Sequence, residues 1–244
     1  RHSKLFQVAV EEGGGIGDPE QNPTLRAAIE NARKDNTPFA NIERAIKKGT
    51  GEDKDALQLH EAVYECLGPG GTAFMITTLT DNTNRTFGNV RNMVTKNSGT
   101  MGPRGAVAWM FEKKGVIEVI VENIENKTME SDAAEMAIIE SGAIDMRKEE
   151  FDDKASSPSE NKKAYTVYTG IKNLHGVKDN LAKAGFTIEN TGLHFVPKDY
   201  KQITDRATAD KLLALTEAIE TDDDVTRIDN NFEIAAHILN EMNL

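Results

Sequence analysis

Residues 62–79 read AVYECLGPGGTAFMITTL, and this stretch decides how the middle of the chain folds. Two runs of mainly apolar residues flank a Gly-Pro-Gly-Gly segment at residues 68–71. Glycine and proline in this position favour a tight turn, so the stretch predicts a β-hairpin. Apolar residues then recur at helical spacing over 84–97 and as a short run over 106–111. The pattern therefore predicts a helix and a further strand after the hairpin.

Toward the C-terminus, strands and helices alternate in the order βαββαβ, which is the order of a ferredoxin-like unit. A run of three serines and one proline at residues 156–159 predicts an exposed loop between its two middle strands. The sequence therefore predicts a ferredoxin-like domain over residues 115–202. Its predicted elements are strand 116–121, helix 130–141, strand 144–151, strand 164–169, helix 174–184 and strand 187–196.

Two elements that follow this unit have no local partner, namely a helix over 208–220 and a strand over 225–228. The set of elements that begins with the hairpin lacks a closing helix and strand, so we expect this pair to complete it. Residues 57–114 and 203–244 are therefore predicted to form one discontinuous α/β domain that the ferredoxin-like domain interrupts. A last amphipathic helix is predicted over 232–242.

Toward the N-terminus, residues 1–56 predict a small helical domain. A first amphipathic segment stops at the glycine run of residues 13–15. Asn22 as N-cap and Pro23 at the first helical position open a second helix, and Thr37-Pro38 opens a third in the same way. The predicted fold class is thus α+β with three domains: an N-terminal helical domain and two α/β-sandwich domains, one ferredoxin-like and inserted in the other.

The charge of the 244-residue chain is distributed unevenly around a formal net value of −11. The net charge is +1 over residues 1–51, −4 over 52–80, +4 over 81–115 and −12 over 116–244. A polyanion such as nucleic acid is therefore expected to meet the first half of the chain. No apolar run approaches the roughly 20 residues that span a bilayer, and no signal peptide is evident, so we expect a soluble protein.

No pattern in the sequence indicates catalysis or metal binding. None of the five histidines lies at metal-ligand spacing from another, and the single cysteine, Cys66, excludes a cysteine-based zinc site. The glycine run follows a helix rather than a strand, which favours a loop over a dinucleotide site. Asp222-Asp223-Asp224 predicts a solvated turn, because consecutive carboxylates lack the spacing of a cation site. We therefore expect no enzyme, no cofactor, no metal, no small-molecule substrate and no membrane partner.

Basic residues of the first half form two candidate nucleic-acid-binding clusters. The first lies on the second and third helices, where Arg44 and Lys48 share a face. The second surrounds helix 84–97, whose first turn is rich in Asn and Thr, groups suited to phosphate or base contacts. The alternative is an ordinary solvated helix surface. The candidate residues are Arg26, Arg33, Lys34, Arg44, Lys47, Lys48, Asn82, Asn84, Arg85, Arg91, Lys96 and Arg104.

Trp109 and Phe111 are predicted in a strand core rather than on a base-stacking platform.

A set of short segments, spread in order along the chain, is similar to one known family. The segments are residues 15–19, 22–32, 38, 41–52, 64–65, 68–71, 80–82, 84–86, 90–91, 96–97, 109–111, 114–117 and 223–225. Together they resemble the YebC/PmpR family, and the resemblance covers nearly the whole chain to about Glu233. It implies three domains with the third inserted in the second, which agrees with the unpaired elements described above.

The resemblance also implies a function. Members of the family are described as probable transcriptional regulators that bind DNA in the cytoplasm, a mitochondrial relative is a translational activator of cytochrome c oxidase, and bacterial members have been linked to the ribosome. We therefore expect a non-enzymatic regulator of gene expression with DNA or ribosomal RNA as partner, in the cytoplasm or, for an organellar member, the mitochondrion. Two alternatives stay open: a ribosome-associated translation factor, and a protein-interaction module that uses the acidic ferredoxin-like domain.

The N-terminus departs from the family pattern. Members typically open with a Gly-His-Ser-Lys-Trp stretch and a long basic helix, whereas His2-Ser3-Lys4 here runs directly into Leu5. A basic helical stretch is therefore expected to be absent from this sequence, which would remove phosphate contacts. The predicted helix after Glu233 is not part of the resemblance.

Overall fold

A computed structural model describes residues 6, 8–10, 13, 15–34, 39–50, 59–121, 131–149 and 163–242 of the chain. It combines helices with antiparallel sheets, which confirms the predicted α+β class. The predicted helix start at Thr37-Pro38 and the predicted loop at 156–159 lie outside the described residues. Within the described part, no helix is both long enough and apolar enough to cross a membrane.

The regular elements are numbered here in chain order. The helices are α1 (Pro23–Lys34), α2 (Phe39–Gly49), α3 (Thr83–Lys96), α4 (Ser131–Glu140), α5 (Leu174–Lys183), α6 (Arg206–Glu220) and α7 (Ala236–Met242). The strands are β1 (His60–Gly68), β2 (Thr72–Thr80), β3 (Thr100–Gly102), β4 (Phe111–Val121), β5 (Asp145–Glu149), β6 (Lys163–Thr169), β7 (Thr187–Pro197), β8 (Lys201–Ile203), β9 (Val225–Asn230) and β10 (Phe232–Ile234).

The N-terminal region packs α1 and α2 with an earlier helical segment, and Asn22 fixes the junction. Its Oδ1 accepts a hydrogen bond from the Leu25 backbone N–H at 3.0 Å, which is the predicted N-cap. Its Nδ2 donates to the carbonyls of Ala9 at 2.7 Å and Ile16 at 3.0 Å. A Cβ on Gly13 would lie 2.1 Å from that nitrogen, so the glycine at this position makes room for the buried amide. The core consists of Phe6, Ala9, Val10, Leu25, Ile29, Ala32, Ile42 and Ala45.

The first sheet is built on the predicted hairpin. β1 and β2 pair antiparallel from His60 opposite Thr80 to Gly68 opposite Thr72, and a 3₁₀ turn joins them. Gly70 in that turn has a φ of 70°, a conformation that favours glycine. The strand order is β3-β1-β2-β9. β9 therefore lies beside the hairpin, as the unpaired C-terminal elements predicted.

The second sheet has the order β5-β6-β4-β7, with every neighbouring pair antiparallel. Two helices, α4 and α5, connect its strands in the order βαββαβ, so the ferredoxin-like topology is confirmed. One face of the sheet packs on these helices. The buried core there includes Ile117, Val119, Ile138, Tyr165, Val167, Val177, Leu181 and Phe186.

The chain divides into two compact units. The first unit comprises Arg1–Val107, Gln202–Ile228 and Ile234–Leu244, and the second comprises Ala108–Lys201 and Asp229–Glu233. The helical region and the β3-β1-β2-β9 sheet belong to the first unit, and the ferredoxin-like sheet belongs to the second. The finer division of the first unit into a helical and an α/β domain stays a prediction.

The predicted strand over 106–111 is wrong. Residues Ala108–Met110 form a 3₁₀ turn, and β4 begins only at Phe111, which is buried. Trp109 lies outside any strand core, with 65% of its surface exposed. The reason is local geometry: Gly105 has a φ of 89°, and the backbone N–H groups of Gly105 and Val107 donate to the Glu65 carboxylate instead of to a neighbouring strand. The third strand of the first sheet is the short β3 instead.

The predicted helix over 232–242 is half wrong. Residues Phe232–Ile234 form β10, which pairs with β8 in a two-stranded sheet, and the helix is confined to Ala236–Met242. The apolar residues of this stretch fit helical spacing, but backbone pairing with β8 takes the first three of them into a strand.

Candidate nucleic-acid interface

The cations of the helical region are the first predicted cluster. Arg26 is exposed, but its guanidinium Nε donates to the Pro19 carbonyl at 2.9 Å and one terminal nitrogen donates to the Glu20 carbonyl at 2.8 Å. Arg26 therefore fastens the turn that precedes α1. Lys47 is exposed on α2. The remaining four have helical backbones, but their side chains lie outside the described part: Arg33, Lys34, Arg44 and Lys48.

The second predicted cluster begins where β2 runs into α3, and its first polar groups serve the backbone. Asn82 is the N-cap of α3, because its Oδ1 accepts from the Arg85 backbone N–H at 3.0 Å. The Asn82 backbone N–H donates in turn to Thr80 Oγ1 at 2.9 Å. The side chain of Asn82 thus satisfies a helix-end donor that would otherwise have no partner.

Asp224 is the centre of the polar network beneath this helix start. The carboxylate is buried, and its Oδ2 lies 2.6 Å from Thr86 Oγ1 and 3.1 Å from Thr80 Oγ1. One Arg85 terminal nitrogen lies 2.9 Å from the same oxygen and 2.7 Å from Asp81 Oδ1. The hydrogen bonds to Asp224 and then to Asp81 raise the pKa of the Arg85 guanidinium further above its already high value. Arg85 is therefore a neutralised cation, although 48% of its side chain is exposed.

The aspartate run at residues 222–224 is consequently not the solvated turn that the sequence predicted. It is a turn between α6 and β9, but Asp224 is buried at 5% exposure because it receives the two threonine hydroxyls and Arg85. Asp222 also faces α3, since its Oδ2 accepts from Asn89 Nδ2 at 3.0 Å. The run ties the end of α6 to the start of α3.

The remaining length of α3 has an outward-facing polar side, which we call the α3 stripe: Asn84, Arg91, Asn92 and Lys96. All four are exposed, whereas Thr86, Val90 and Val94 on the opposite side are buried. The helix contains no Asp or Glu in its 14 residues. Neither Arg91 nor Lys96 forms a salt bridge with another residue that the structure describes. Toward the part of the chain that the structure describes, both cations therefore face solvent without an ion-pair partner.

Glu65 supports the loop that carries Arg104, and the sequence does not predict this role. Its side chain is buried, and its two carboxylate oxygens accept from the backbone N–H groups of Gly105 at 2.6 Å and Val107 at 2.8 Å. These bonds fix the loop that carries the exposed Arg104. The available signal was an acidic residue in the middle of an apolar strand, which requires a buried partner.

Groups suited to catalysis are poorly placed. Burial raises the pKa of the Cys66 thiol to about 12, so the thiolate that would act as a nucleophile is not formed at neutral pH. His194 Nδ1 lies 3.2 Å from Asp229 Oδ1, and the other oxygen of this carboxylate accepts from the Phe195 backbone N–H at 3.0 Å. Among the residues that the structure describes, no three His, Cys, Asp or Glu side chains come together as a metal site.

The fold and this surface define a class: an α+β protein with an acid-free, cation-bearing helix on one compact unit and a ferredoxin-like sheet in the other. Residues 1–52 match the family model of the TACO1/YebC protein N-terminal domain, and residues 59–232 match that of the TACO1/YebC second and third domain. The chain belongs to the TACO1/YebC family.

Relatives support this membership over almost the full length. A protein of Persephonella marina is 42% identical over 96% of this chain and 86% of its own length, and one of Aquifex aeolicus is 41% identical over 98% and 90%. Both are named probable transcriptional regulatory protein. The crystal structure of a conserved hypothetical protein from Aquifex aeolicus superposes with a TM-score of 0.78 at 39% identity, covering 98% of this chain and 90% of that one.

Proposed function

We propose that the protein is a non-enzymatic, DNA-binding regulator of transcription whose first unit contacts the phosphate backbone. The observation that carries the proposal is the α3 stripe, which places Arg91 and Lys96 on a helix without acidic residues in a chain of net charge −11. The names of the two relatives support a role in transcription. The same role favours the cytoplasm, the compartment of bacterial DNA, as the location.

The chemistry of the stripe suits a duplex backbone. Exposed cations without an ion-pair partner displace condensed counterions from phosphates, and this release drives binding. The side-chain amides of Asn84 and Asn92 can donate hydrogen bonds to phosphate oxygens. Such phosphate contacts position a protein on DNA but do not depend on the base sequence. Arg85, held by Asp81 and Asp224, anchors the helix rather than the nucleic acid.

The test is a selection from fragmented genomic DNA at about 0.15 M salt, the physiological ionic strength. Protein-bound fragments are sequenced for the wild type, for Arg91→Glu and for Lys211→Glu. Lys211 is the matched control, because it is also exposed on a helix of the first unit and its reversal changes the net charge equally. We expect a defined set of enriched sites for the wild type and for Lys211→Glu, and a clearly weaker enrichment of the same sites for Arg91→Glu.

Purified ribosomes supply the contrasting measurement. Cosedimentation with ribosomes together with negligible retention of any DNA fragment would replace transcription control by translation control. Binding to neither polyanion would leave the protein-interaction module as the function. Equal losses in Arg91→Glu and Lys211→Glu would show that net charge, and not the α3 stripe, governs binding.

A further inference from the structure

The second unit contains a cavity of about 420 Å³ on the sheet face opposite α4 and α5. Ile117 and Val119 of β4 point into the helix-covered core, so the alternating residue Lys114 points to the other face. The same alternation on β6 sends Val167 inward and Tyr168 toward the cavity. The volume lies in the range of about 300–1,000 Å³ that is typical of small-ligand sites. The cavity is therefore large enough for one nucleotide-sized group.

Cations and aromatic rings line this cavity together. Lys114 and Lys198 bring positive charge to it, Arg147 lines it as the ion-pair partner of Glu233, and Tyr168 and Tyr200 bring aromatic surface. The Arg147 guanidinium lies over the Tyr200 ring, 5.4 Å from its centroid. Cations bind phosphate, and aromatic or guanidinium planes stack on bases, so the lining matches both parts of a nucleotide.

Two carboxylates in the same lining distinguish a nucleotide from a simple anion. Glu112 and Asp145 both line the cavity, and Glu112 Oε2 lies 3.2 Å from Lys114 Nζ. Carboxylates repel phosphate, but they accept hydrogen bonds from the amino groups on base edges. Inorganic phosphate offers no donor that carboxylates could bind. A nucleotide can contact the cations through its phosphate, the aromatic rings through the face of its base, and the carboxylates through the amino groups of its base.

Trp109 lies at the edge of this region. Its backbone carbonyl accepts a hydrogen bond from Lys198 Nζ at 2.9 Å, and 65% of the residue is exposed. The backbone of this exposed aromatic residue therefore lies beside a lysine that lines the cavity. It is also the single tryptophan of the chain, so its fluorescence reports on this location alone.

We propose that this cavity binds one nucleotide of a single-stranded nucleic acid, with the base against Tyr200 and Tyr168 and the phosphate near Lys198 and Lys114. The proposal takes its ligand class from the proposed function, but it uses a different unit and different residues. A free nucleotide has the same chemistry as a nucleotide in a strand. We assign the strand, because Trp109, whose backbone lies beside the cavity-lining Lys198, is exposed and can offer its ring to a neighbouring base.

The test measures the affinity of the full chain for a fluorescein-labelled ten-nucleotide single strand of mixed sequence, as RNA and as DNA, by anisotropy. Lys198→Glu and Tyr200→Ala are compared with Lys172→Glu, an exposed control in the same unit that does not line the cavity. We expect roughly tenfold weaker binding for each cavity variant, in keeping with base stacking and phosphate contact, and less than about twofold for the control. Strand binding should also quench the Trp109 fluorescence.

Three results would overturn the proposal. They are unchanged affinity in both cavity variants, an equal loss in the Lys172→Glu control, and mononucleotides that bind as tightly as the strand, which would make a free nucleotide the ligand. Arg91→Glu separates this test from that of the proposed function. It should weaken duplex binding by the first unit and leave the Trp109 quenching by single strands within about twofold of wild type.

Discussion

The two ends of α3 use similar residues in opposite ways. At its start, Asn82 and Arg85 turn to the helix end and to the buried Asp224, and they build the fold. Farther along, Arg91 and Lys96 face solvent and meet no salt-bridge partner among the described residues. For the two arginines, the difference lies largely in Asp224, a buried carboxylate from a distant part of the chain that pairs with Arg85 in the first turn of α3. Polar residues close together in sequence thus divide into anchors and potential ligands according to what the fold places beneath them.

The largest effect is expected where the buried anchor is removed. Asp224→Ala removes the buried carboxylate that accepts from the Thr80 hydroxyl and pairs with Arg85, so the free energy of unfolding should fall by about 2 kcal/mol. Urea unfolding measures the change. Asp223→Ala removes the same charge from an exposed neighbour and should cost less than about 0.5 kcal/mol. Equal losses in the two variants would show that Asp224 is no anchor.

A somewhat smaller loss is expected at the second buried acid, Glu65. Glu65→Gln replaces one carboxylate oxygen by an N–H donor that faces the backbone N–H of Gly105 or Val107, so about 1–2 kcal/mol of stability should be lost. Glu61→Gln, at an exposed position near the start of the same strand, is the control and should be nearly neutral. Hydrogen exchange of the two loop amides checks the mechanism, because only Glu65→Gln should accelerate it.

Reversal of an outward cation is expected to leave stability intact and to change affinity. Arg91→Glu should weaken duplex DNA binding about fivefold to tenfold, which corresponds to about 1 kcal/mol, while urea unfolding stays within about 0.5 kcal/mol of wild type. Arg85→Ala should give the converse pattern, a lower unfolding midpoint with a smaller loss of affinity, because its guanidinium is held by Asp81 and Asp224. The same pattern in both variants would remove the distinction between the two ends of α3.

The smallest expected effect is on the pH dependence of stability, and it arises at the N-terminal caps of α3 and α6. Asn82 caps α3 with a neutral amide, whereas Asp205 caps α6 with a carboxylate that accepts from the Thr208 backbone N–H at 2.8 Å. That hydrogen bond lowers the pKa of Asp205. Its contribution to stability is therefore complete above the ordinary aspartate pKa of about 3.9 and is lost as the pH falls through the lowered value. Asp205→Asn should flatten this part of the acid-unfolding curve, whereas Asn82→Asp should add a pH dependence there.

Much of the fold is legible in local sequence. The Gly-Pro-Gly-Gly turn at 68–71, the Asn22-Pro23 helix start and the βαββαβ rhythm each depend on neighbouring residues, and each is present. The prediction of Trp109 in a strand core is wrong because the spacing of apolar residues carries no information on the binding of Glu65 to the loop before β4. Asp224 and Arg85 lie 139 residues apart, so no local pattern could pair them. The sequence therefore predicts which cations belong to the candidate site. It does not distinguish Arg85, which stabilises the fold, from Arg91 and Lys96, which are exposed.

The salt dependence of duplex binding tests the central claim most directly. For the wild type, Arg91→Glu, Lys96→Glu and Lys211→Glu, the logarithm of the binding constant is plotted against the logarithm of the salt concentration. If the α3 stripe contacts phosphates, the slope should fall in magnitude by about one for each of the two stripe variants and stay unchanged for Lys211→Glu. Four parallel lines would contradict the account, since they would show that neither Arg91 nor Lys96 displaces a counterion from DNA.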